Sequence, residues 1–210
     1  MVCTNQEMLH KIIRSMRDWG RDCTCPPGTD NRCGHRFDGQ YGTLPQGYDH
    51  KYVYSHFGYN LKGGDCQAAI GCAQMQKLPA FVAKRNANHA YLCEALASCT
   101  DRLILPEATP HATPSWFGLL LCCREGVSRD AVVAHLEREG VQTRMLFAGN
   151  LVRQPCFDHL RRAQSGYRVV GELAVTDRVM RDGFIVGVYP GMGEQALERV
   201  AALIREAVKK

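Results

Sequence analysis

The chain has 210 residues, of which 45% are hydrophobic and 22% are charged. This is the composition of a globular protein of one or two domains, and it excludes an intrinsically disordered chain. The 26 basic and 21 acidic residues give a net charge of +5, and the basic residues are dispersed, so we expect no nucleic-acid partner. No apolar run approaches the ~18 residues of a membrane span, and the first residues do not form a signal peptide, so we expect no membrane association.

Cysteine is unusually frequent, with eleven residues in the chain. The number is odd, and most of the cysteines lie in apolar or helical contexts, where a free thiol behaves as a small hydrophobic group. We therefore expect a reduced, cytoplasmic protein in which clustered cysteines bind metal rather than form disulfides.

The first predicted elements are a helix and a long loop. Thr4–Glu7 matches a capping box at the start of an amphipathic helix that ends at Gly20. Residues 20–64 have no helical period and are rich in glycine, histidine and aromatic residues. A loop of this length inside a compact domain is commonly functional, and short strands are expected near residues 52–56.

Two helical segments follow the loop. The pattern predicts a helix from Asp65 to about Leu78 and a second from Pro79 to about Ser98, and the two can also form one kinked rod. Residues 106–114 are rich in proline and threonine and are predicted to be a linker.

The remainder of the chain alternates between strands and helices and predicts a compact α/β unit of about 100 residues. Strands are predicted at residues 116–123, 141–147 and 184–189. Helices are predicted from Ser128 to Glu139, over residues 170–181, and over residues 194–208.

The most specific chemical feature is the spacing of Cys23, Cys25 and Cys33 in a polar loop. Three thiols within eleven residues can converge on one centre, and three neighbouring arginines favour the thiolate form. Thiolates suit zinc or an iron–sulfur cluster, and a two-iron cluster needs four ligands. The alternative is three unrelated loop thiols.

Two further segments suggest anion binding. Asn60 and Lys62 lie just before a helix start, an arrangement that suits a phosphate, although an incidental lysine beside a capped helix has the same pattern. Arg144 lies in the predicted strand at 141–147, and Asn150 and Arg153 follow it. Arginines at the end of a strand can clamp phosphates, or they are ordinary surface charges.

These residues also carry a family resemblance. Gly58–Lys62, together with Asp65 and residues 67–71, resembles the signature of the DegT/DnrJ/EryC/StrS sugar aminotransferase and dehydratase family, which uses pyridoxal or pyridoxamine phosphate. The resemblance is strongest to members that remove the 3-hydroxyl of CDP-4-keto-6-deoxyglucose in 3,6-dideoxyhexose biosynthesis, and it runs across essentially the whole chain. This closer resemblance rests on residues 17–25, 33–37, 47–51 and 144–150.

The resemblance implies an α/β fold, the C-terminal part of an aspartate-aminotransferase-like (fold type I) pyridoxal-phosphate enzyme. Residues 1–98 would be the end of the large cofactor domain, with the cysteine loop at 20–64 and connecting helices. Residues 99–210 would be the complete small α/β domain.

It also implies cofactors and partners. The cofactors are pyridoxamine or pyridoxal phosphate and a [2Fe-2S] cluster. The partners are a second subunit in a homodimer, an NADH-dependent flavin and iron–sulfur reductase that delivers electrons, and a CDP-sugar substrate for lipopolysaccharide synthesis.

Site residues are implied in the same way. Cys23, Cys25 and Cys33 match three of the four cluster ligands, and Asn60 matches a residue that reaches the cofactor phosphate of the neighbouring subunit. The expected substrate contacts are Lys62, Arg144, Asn150 and Arg153.

The fourth cluster ligand and the catalytic base of such enzymes precede the segment that this chain matches. We therefore expect both to lie upstream of Met1, and we name no catalytic residue within the chain. On this expectation the chain is a fragment that begins after them and is not catalytic by itself. Two other functions stay open, a non-catalytic metal-binding or assembly module and an ordinary pyridoxal-phosphate sugar aminotransferase relative.

Overall fold

The structure, a computed structural model, describes residues 2–26 and 28–209. The chain divides into two units, residues 1–73 and 74–210, and the boundary lies within a long helix. The expected domain boundary at residue 98 stays a prediction. No helix in the described ranges is long and apolar enough to cross a membrane.

The first helix, α1, spans Glu7–Arg17, and the capping-box prediction at its start is wrong. The Thr4 hydroxyl accepts a hydrogen bond from the backbone N–H of Gln6 at 3.1 Å, and Gln6 is the N-cap. Glu7 is therefore the first helical residue rather than the third. From there its carboxylate pairs with Lys11 at 2.8 Å, one turn ahead, instead of reaching back.

Residues 20–64 contain little regular structure, as predicted. A short 3₁₀ helix covers His50–Tyr52, and the strands expected near 52–56 reduce to a single bridge between Arg21 and Tyr54. A second bridge joins Asp18 to Asn60. Both bridges pair the chain just after α1 with the chain just before the next helix, so they bring the two ends of the loop together.

Two glycines make that pairing possible. Gly20 has a left-handed φ of +79°, and a Cβ there would stand 2.0 Å from the carbonyl oxygen of His56. A Cβ on Gly58 would stand 2.2 Å from the backbone nitrogen of Gly20. The two backbones approach so closely that no side chain fits between them.

The second helix, α2, is one continuous element over Asp65–Ala95 with Pro79 inside it. The structure therefore confirms the alternative of one helix rather than two. Pro79 removes one backbone donor, but it lies in an exposed stretch, where water can serve the unpaired carbonyl. The last turns of α2 bury Leu92 and, just beyond the helix, Leu96 in the core of the second unit.

The second unit contains a four-stranded antiparallel sheet in the order β1-β2-β4-β3. The strands are β1 (Leu103–Ile104), β2 (Gly118–Cys123), β3 (Thr143–Arg144) and β4 (Gly183–Gly187). The helices that follow α2 are α3 (Arg129–Arg138), α4 (Asp158–Ala163), α5 (Ala174–Asp182) and α6 (Glu194–Ala207).

The core lies on one face of this sheet, against α3 and α6. Side chains alternate along each strand, so Leu119 and Leu121 of β2 point into the core with Phe184 of β4. Helix α3 begins as predicted, because the Ser128 hydroxyl accepts a hydrogen bond from Ala131 N–H at 3.3 Å. The predicted α6 is also observed, with a buried face.

Three predicted elements are shorter than expected. The strand at 141–147 contains only the two residues of β3, because the left-handed Phe147 (φ +46°) and Gly149 (φ +61°) turn the chain away. The helix expected from residue 170 begins at Ala174, since Leu173 is left-handed at φ +54°. The strand expected from residue 116 begins at Gly118, and the short elements α4 and β1 were not predicted.

We expect Gly20→Ala to destabilise the chain more than Gly28→Ala. Both glycines have a left-handed φ, near +79° and +76°, so each alanine costs ~1–2 kcal/mol in backbone strain. Only Gly20 also faces a backbone carbonyl, and that clash adds ~1–3 kcal/mol to the loss in unfolding free energy. Urea unfolding measures both variants, and equal losses would contradict the close approach of residues 20 and 58.

Candidate functional site

The cysteine loop begins where α1 ends. Trp19 N–H donates to the Tyr59 carbonyl at 3.0 Å, and Leu61 N–H donates to the Arg17 carbonyl at 2.9 Å. Farther along, Asp22 N–H donates to the Val53 carbonyl at 3.1 Å. These backbone bonds fix the two ends of the loop, and the cysteines lie between them.

The structure brings the three predicted cysteines to one narrow cleft. Cys23, Cys25 and Cys33 all line it, together with Arg36 and Lys51. Its volume is about 10 Å³, the space of about one water molecule. Among the described residues, no three histidine, cysteine, aspartate or glutamate side chains stand close enough to hold a metal ion in this conformation.

The thiols of this cleft have different acidities. Partial burial raises the pKa of Cys23, and the neighbouring Cys25 and Cys33 raise it further, because each thiolate repels the next. By contrast, the backbone N–H of His35 and then the side chain of His50 lower the pKa of Cys33. Cys33 is therefore the thiol that ionises first of these two.

His50 is a site residue that the sequence did not single out. Its Nδ1 lies 3.8 Å from the Cys33 sulfur, and its Nε2 lies 2.8 Å from Asp22 Oδ2. The Tyr41 ring stacks on the imidazole, with centroids 5.1 Å apart and planes within 3°. Asp22 precedes His50 by 28 residues, so no local spacing could reveal the pair.

Ion pairs hold the rest of the loop. Arg36 donates to both carboxylate oxygens of Asp49, at 3.0 and 2.7 Å, which is a bidentate contact. Lys51 pairs with Asp30. Both cations also line the cysteine cleft, but each is paired with a carboxylate and Asp30 lines the cleft as well, so these ion pairs add little net charge there.

Lys62 and Asn60 lie beside the end of α1. The Lys62 ammonium is 3.2 Å from Asp18 Oδ2, in a cleft that is also lined by Arg14, Arg17 and Arg21. Asn60 is exposed, and its amide makes no hydrogen bond within the described residues. The cleft carries a positive excess that suits an anionic group.

The three predicted contacts of the second unit do not act as one group. Asn150 is buried and donates to Asp177 Oδ1 at 2.8 Å, and Arg153 forms a two-pronged ion pair with the same carboxylate. These two side chains fix the turn at residues 150–153 to α5. Within the described residues the Arg144 side chain donates to the carbonyl of Thr143 alone, at 2.7 Å, and its charge adds to the hydrogen bonds from Thr143 that lower the pKa of Glu137. Its guanidinium therefore keeps donors for a ligand.

The expected position of the catalytic base and of the fourth cluster ligand stays a prediction. Within the described residues the candidate site consists of the three cysteines and the basic side chains near them.

Comparison with known proteins identifies the family. Residues 1–205 match the DegT/DnrJ/EryC1/StrS aminotransferase family, and the chain belongs to it. "Lipopolysaccharide biosynthesis protein RfbH" of Salmonella typhimurium is 52% identical, over 98% of this chain and 46% of that protein. The "dTDP-4-dehydro-2,6-dideoxy-D-glucose 3-dehydratase" of Saccharopolyspora spinosa is 46% identical, over 100% of this chain and 44% of that protein. The chain thus spans about half the length of these relatives.

Solved structures confirm the predicted fold class. An E. coli GDP-4-keto-6-deoxy-D-mannose-3-dehydratase with bound hydrated PLP superposes with a TM-score of 0.74 at 21% identity, over 96% of this chain and 48% of that one. An aminotransferase of the same family from Brucella abortus gives 0.71 at 20% identity, over 99% and 45%. The chain therefore has the α/β fold of about half of an aminotransferase-like protein.

We expect Cys33 to be alkylated at lower pH than Cys23, because the pKa of Cys33 is lowered and that of Cys23 is raised. Iodoacetamide labelling, followed by peptide mass spectrometry across a pH series, gives the midpoint for each thiol. His50→Phe keeps a ring against Tyr41 but removes the nitrogen, so the Cys33 midpoint should rise.

The matched control for that experiment is His35→Ala. It keeps the backbone N–H that lowers the pKa of Cys33, so the midpoint should stay close to that of the wild type. Two results would contradict the contact between His50 and Cys33 and the order of the two thiol pKa values. One is a Cys33 labelling midpoint that is unchanged in His50→Phe, and the other is a Cys33 midpoint equal to that of Cys23.

The Arg153–Asp177 pair predicts a pH effect on stability. Arg153 and Asn150 lower the pKa of Asp177 to about 2, from an ordinary value near 4. The pair therefore stabilises the fold above about pH 4, and this contribution is lost as pH falls toward 2. Asp177→Asn should lower the midpoint temperature of unfolding at pH 7. Between pH 4 and pH 2 that midpoint should then fall less steeply in the variant than in the wild type. Glu125→Gln, an exposed control, should keep the wild-type profile.

Proposed function

We propose that this chain is part of a nucleotide-sugar 3-dehydratase, with CDP-4-keto-6-deoxyglucose as the sugar substrate and a 3,6-dideoxyhexose for lipopolysaccharide as the product. The observation that carries the proposal is the convergence of Cys23, Cys25 and Cys33 on one cleft in a member of this family. Two relatives at about half identity support it, because one is named for lipopolysaccharide biosynthesis and the other as a sugar 3-dehydratase.

The three thiols are proposed as ligands of a [2Fe-2S] cluster. Their donor chemistry fits, since thiolates are the preferred ligands of iron in such clusters. Repulsion between neighbouring thiolates, which adds to the effect of burial on the pKa of Cys23, would be relieved by a metal cation. The cleft is too narrow for a cluster in this conformation, so the loop has to widen when a cluster binds. The loop contains little regular secondary structure, so few backbone hydrogen bonds oppose that movement.

Within such a site the chain's own residues would have separate tasks. Cys23, Cys25 and Cys33 would hold the cluster, which when bound passes electrons one at a time. His50 and Asp22 would orient Cys33, because the imidazole lies between that sulfur and the carboxylate. The electrons are proposed to come from an NADH-dependent flavin and iron–sulfur reductase.

Asn60 and Lys62 are proposed to serve the cofactor and the substrate. The exposed Asn60 amide can donate to the phosphate of pyridoxamine phosphate in the other subunit of a homodimer. When bound, that cofactor supplies the amine that activates the keto sugar for loss of its 3-hydroxyl. Lys62 can meet the anionic end of the substrate once it gives up part of its contact with Asp18. We propose Arg144 as a further substrate contact, with Asn150 and Arg153 shaping the turn near it.

An ordinary aminotransferase is the second candidate. A "GDP-perosamine synthase" of Caulobacter vibrioides is 24% identical over 78% of this chain, and it favours amino transfer as the alternative chemistry. That alternative needs no cysteine ligands, so the thiols separate the two candidates.

We expect the chain to bind iron and sulfide when it is reconstituted anaerobically with an added small thiol that can supply the fourth ligand. The combined substitution Cys23→Ser, Cys25→Ser and Cys33→Ser should reduce both to background, because serine lacks the thiolate ligand. The control replaces three exposed cysteines elsewhere, Cys66, Cys72 and Cys156, with serine and should retain iron.

An equal iron content in the wild type, the three-serine variant and the control variant would contradict the proposed ligands. Tight zinc binding without iron would favour a non-catalytic metal-binding module. The same preparations are then assayed for loss of the 3-hydroxyl from CDP-4-keto-6-deoxyglucose. For this assay they are mixed with the portion of the Salmonella relative that lies outside the match, with pyridoxamine phosphate, and with NADH and a flavin and iron–sulfur reductase. Iron without any turnover would contradict the dehydratase.

A further inference from the structure

The imidazole of His50 stands between one of the cysteine sulfurs and a carboxylate. Its Nδ1 lies 3.8 Å from the Cys33 sulfur, and its Nε2 lies 2.8 Å from Asp22 Oδ2. The His50 side chain keeps 16% of its surface exposed, whereas the Asp22 side chain keeps 46%. The contact with sulfur is therefore partly shielded from water, and such shielding strengthens a hydrogen bond to a charged acceptor.

The backbone of His50 is fixed independently of these two contacts. Its N–H donates to the Arg36 carbonyl at 2.8 Å. The preceding residue, Asp49, caps the 3₁₀ helix that starts at His50, because its side chain accepts a hydrogen bond from Lys51 N–H at 3.0 Å. Arg36 holds the same carboxylate through its bidentate contact. The imidazole therefore extends from a well-defined position in the loop.

The plane of the imidazole ring is fixed as well. Tyr41 stacks on the ring, with centroids 5.1 Å apart and planes within 3°. Asp22, which contacts Nε2, is itself tied to the end of the loop, because its backbone N–H donates to the Val53 carbonyl at 3.1 Å. With the ring stacked and Nε2 held, Nδ1 points toward Cys33. Partners outside the ligand set that orient a ligand in this way are typical of metal centres.

The chemistry of the two neighbours determines which ring nitrogens of His50 carry hydrogen. An ionised carboxylate can only accept, so Nε2 donates to Asp22. A cysteine that binds metal is a thiolate and has no hydrogen of its own to donate. The contact between Nδ1 and the Cys33 sulfur is then attractive when Nδ1 carries a hydrogen too. In this arrangement both nitrogens donate, and a cationic ring lies between two anionic groups.

We infer that His50 donates a hydrogen bond from Nδ1 to the Cys33 sulfur and thereby raises the reduction potential of the cluster proposed at the three cysteines. Such a bond stabilises the reduced centre more than the oxidised one, because the reduced centre carries one more negative charge. Hydrogen bonds to the sulfurs are among the factors that set these potentials. His50 is a positioning residue here, because it acts through Cys33.

This inference rests on the proposed function for the existence of the cluster. It adds the residue that sets how readily the centre accepts an electron. The alternative is that the His50 ring only packs against Tyr41, in which case its nitrogen has no effect on the centre.

The test measures the one-electron reduction potential of the full chain, reconstituted anaerobically with the added small thiol, by a redox titration that is followed by EPR. His50→Phe keeps a ring against Tyr41 but removes the donor. The equilibrium constant for reduction should therefore fall about tenfold, which is about 59 mV for one electron.

Two matched variants separate the donor from the ring. His50→Asn keeps a nitrogen donor bonded to Cγ, as in histidine, so its potential should stay close to that of the wild type. His35→Ala changes an exposed histidine of the same loop and keeps the backbone N–H that contacts Cys33, so it should also match the wild type.

A second measurement decides the question on the wild-type chain alone, should His50→Phe bind no iron. The chain is labelled with ¹⁵N at histidine and reduced, and pulsed EPR then measures the coupling between the nitrogen and the unpaired electron. A weak coupling is expected, because the nitrogen reaches iron only through a hydrogen bond and a sulfur. A strong coupling would make His50 a direct ligand and would overturn its role as a donor, as would the absence of any coupling.

Equal potentials in the wild type and His50→Phe would overturn the inference. So would a potential that falls equally in His50→Phe, His50→Asn and His35→Ala, because that result indicates a general disturbance of the loop. These outcomes are distinct from those for the proposed function. Iron at the three cysteines with a potential that does not depend on His50 removes the inference and leaves the proposed function, whereas absence of iron from every preparation removes both.

Discussion

The close approach of two backbones at Gly20 and Gly58 is the constraint on which the cysteine loop depends. No side chain fits between them, and the hydrogen bonds on either side tie the end of α1 to the chain before α2. A loop of this length loses much conformational entropy when its ends are joined, and the loss grows only slowly with length. Because backbone contacts at two glycines join the ends, the side chains inside the loop are not needed to close it and are available to bind a ligand.

Charge, rather than burial, orders that interior. Nearly every side chain between the two glycines is exposed or half-buried, so the hydrophobic effect contributes little there. The contacts that replace it are the bidentate Arg36–Asp49 pair and the Asp22–His50–Cys33 chain. Such contacts orient the side chains of the loop more than they add to the free energy of unfolding, because exposed ion pairs are weak. A loop held in this way can keep three thiols near each other, and under the proposed function it would widen when iron binds.

The sequence predicted the features that depend on neighbours along the chain. The Ser128 cap and the buried face of α6 follow from local spacing, and the cysteine trio follows from three positions within eleven residues. Features that depend on partners far along the chain were missed, such as Asp22 beside His50. The early end of β3 was missed for another reason, since the left-handed Phe147 contradicts its own backbone preference and only the surrounding structure enforces it.

We propose that Cys23, Cys25 and Cys33 ligate one iron–sulfur centre. X-ray absorption at the iron edge of the anaerobically loaded chain tests this proposal, because it reports the atoms bound to iron. We expect a first coordination sphere dominated by sulfur, with a neighbouring iron atom in the next shell, and loss of both in the chain with the three serines. A first sphere of oxygen and nitrogen, unchanged by those serines, would contradict it.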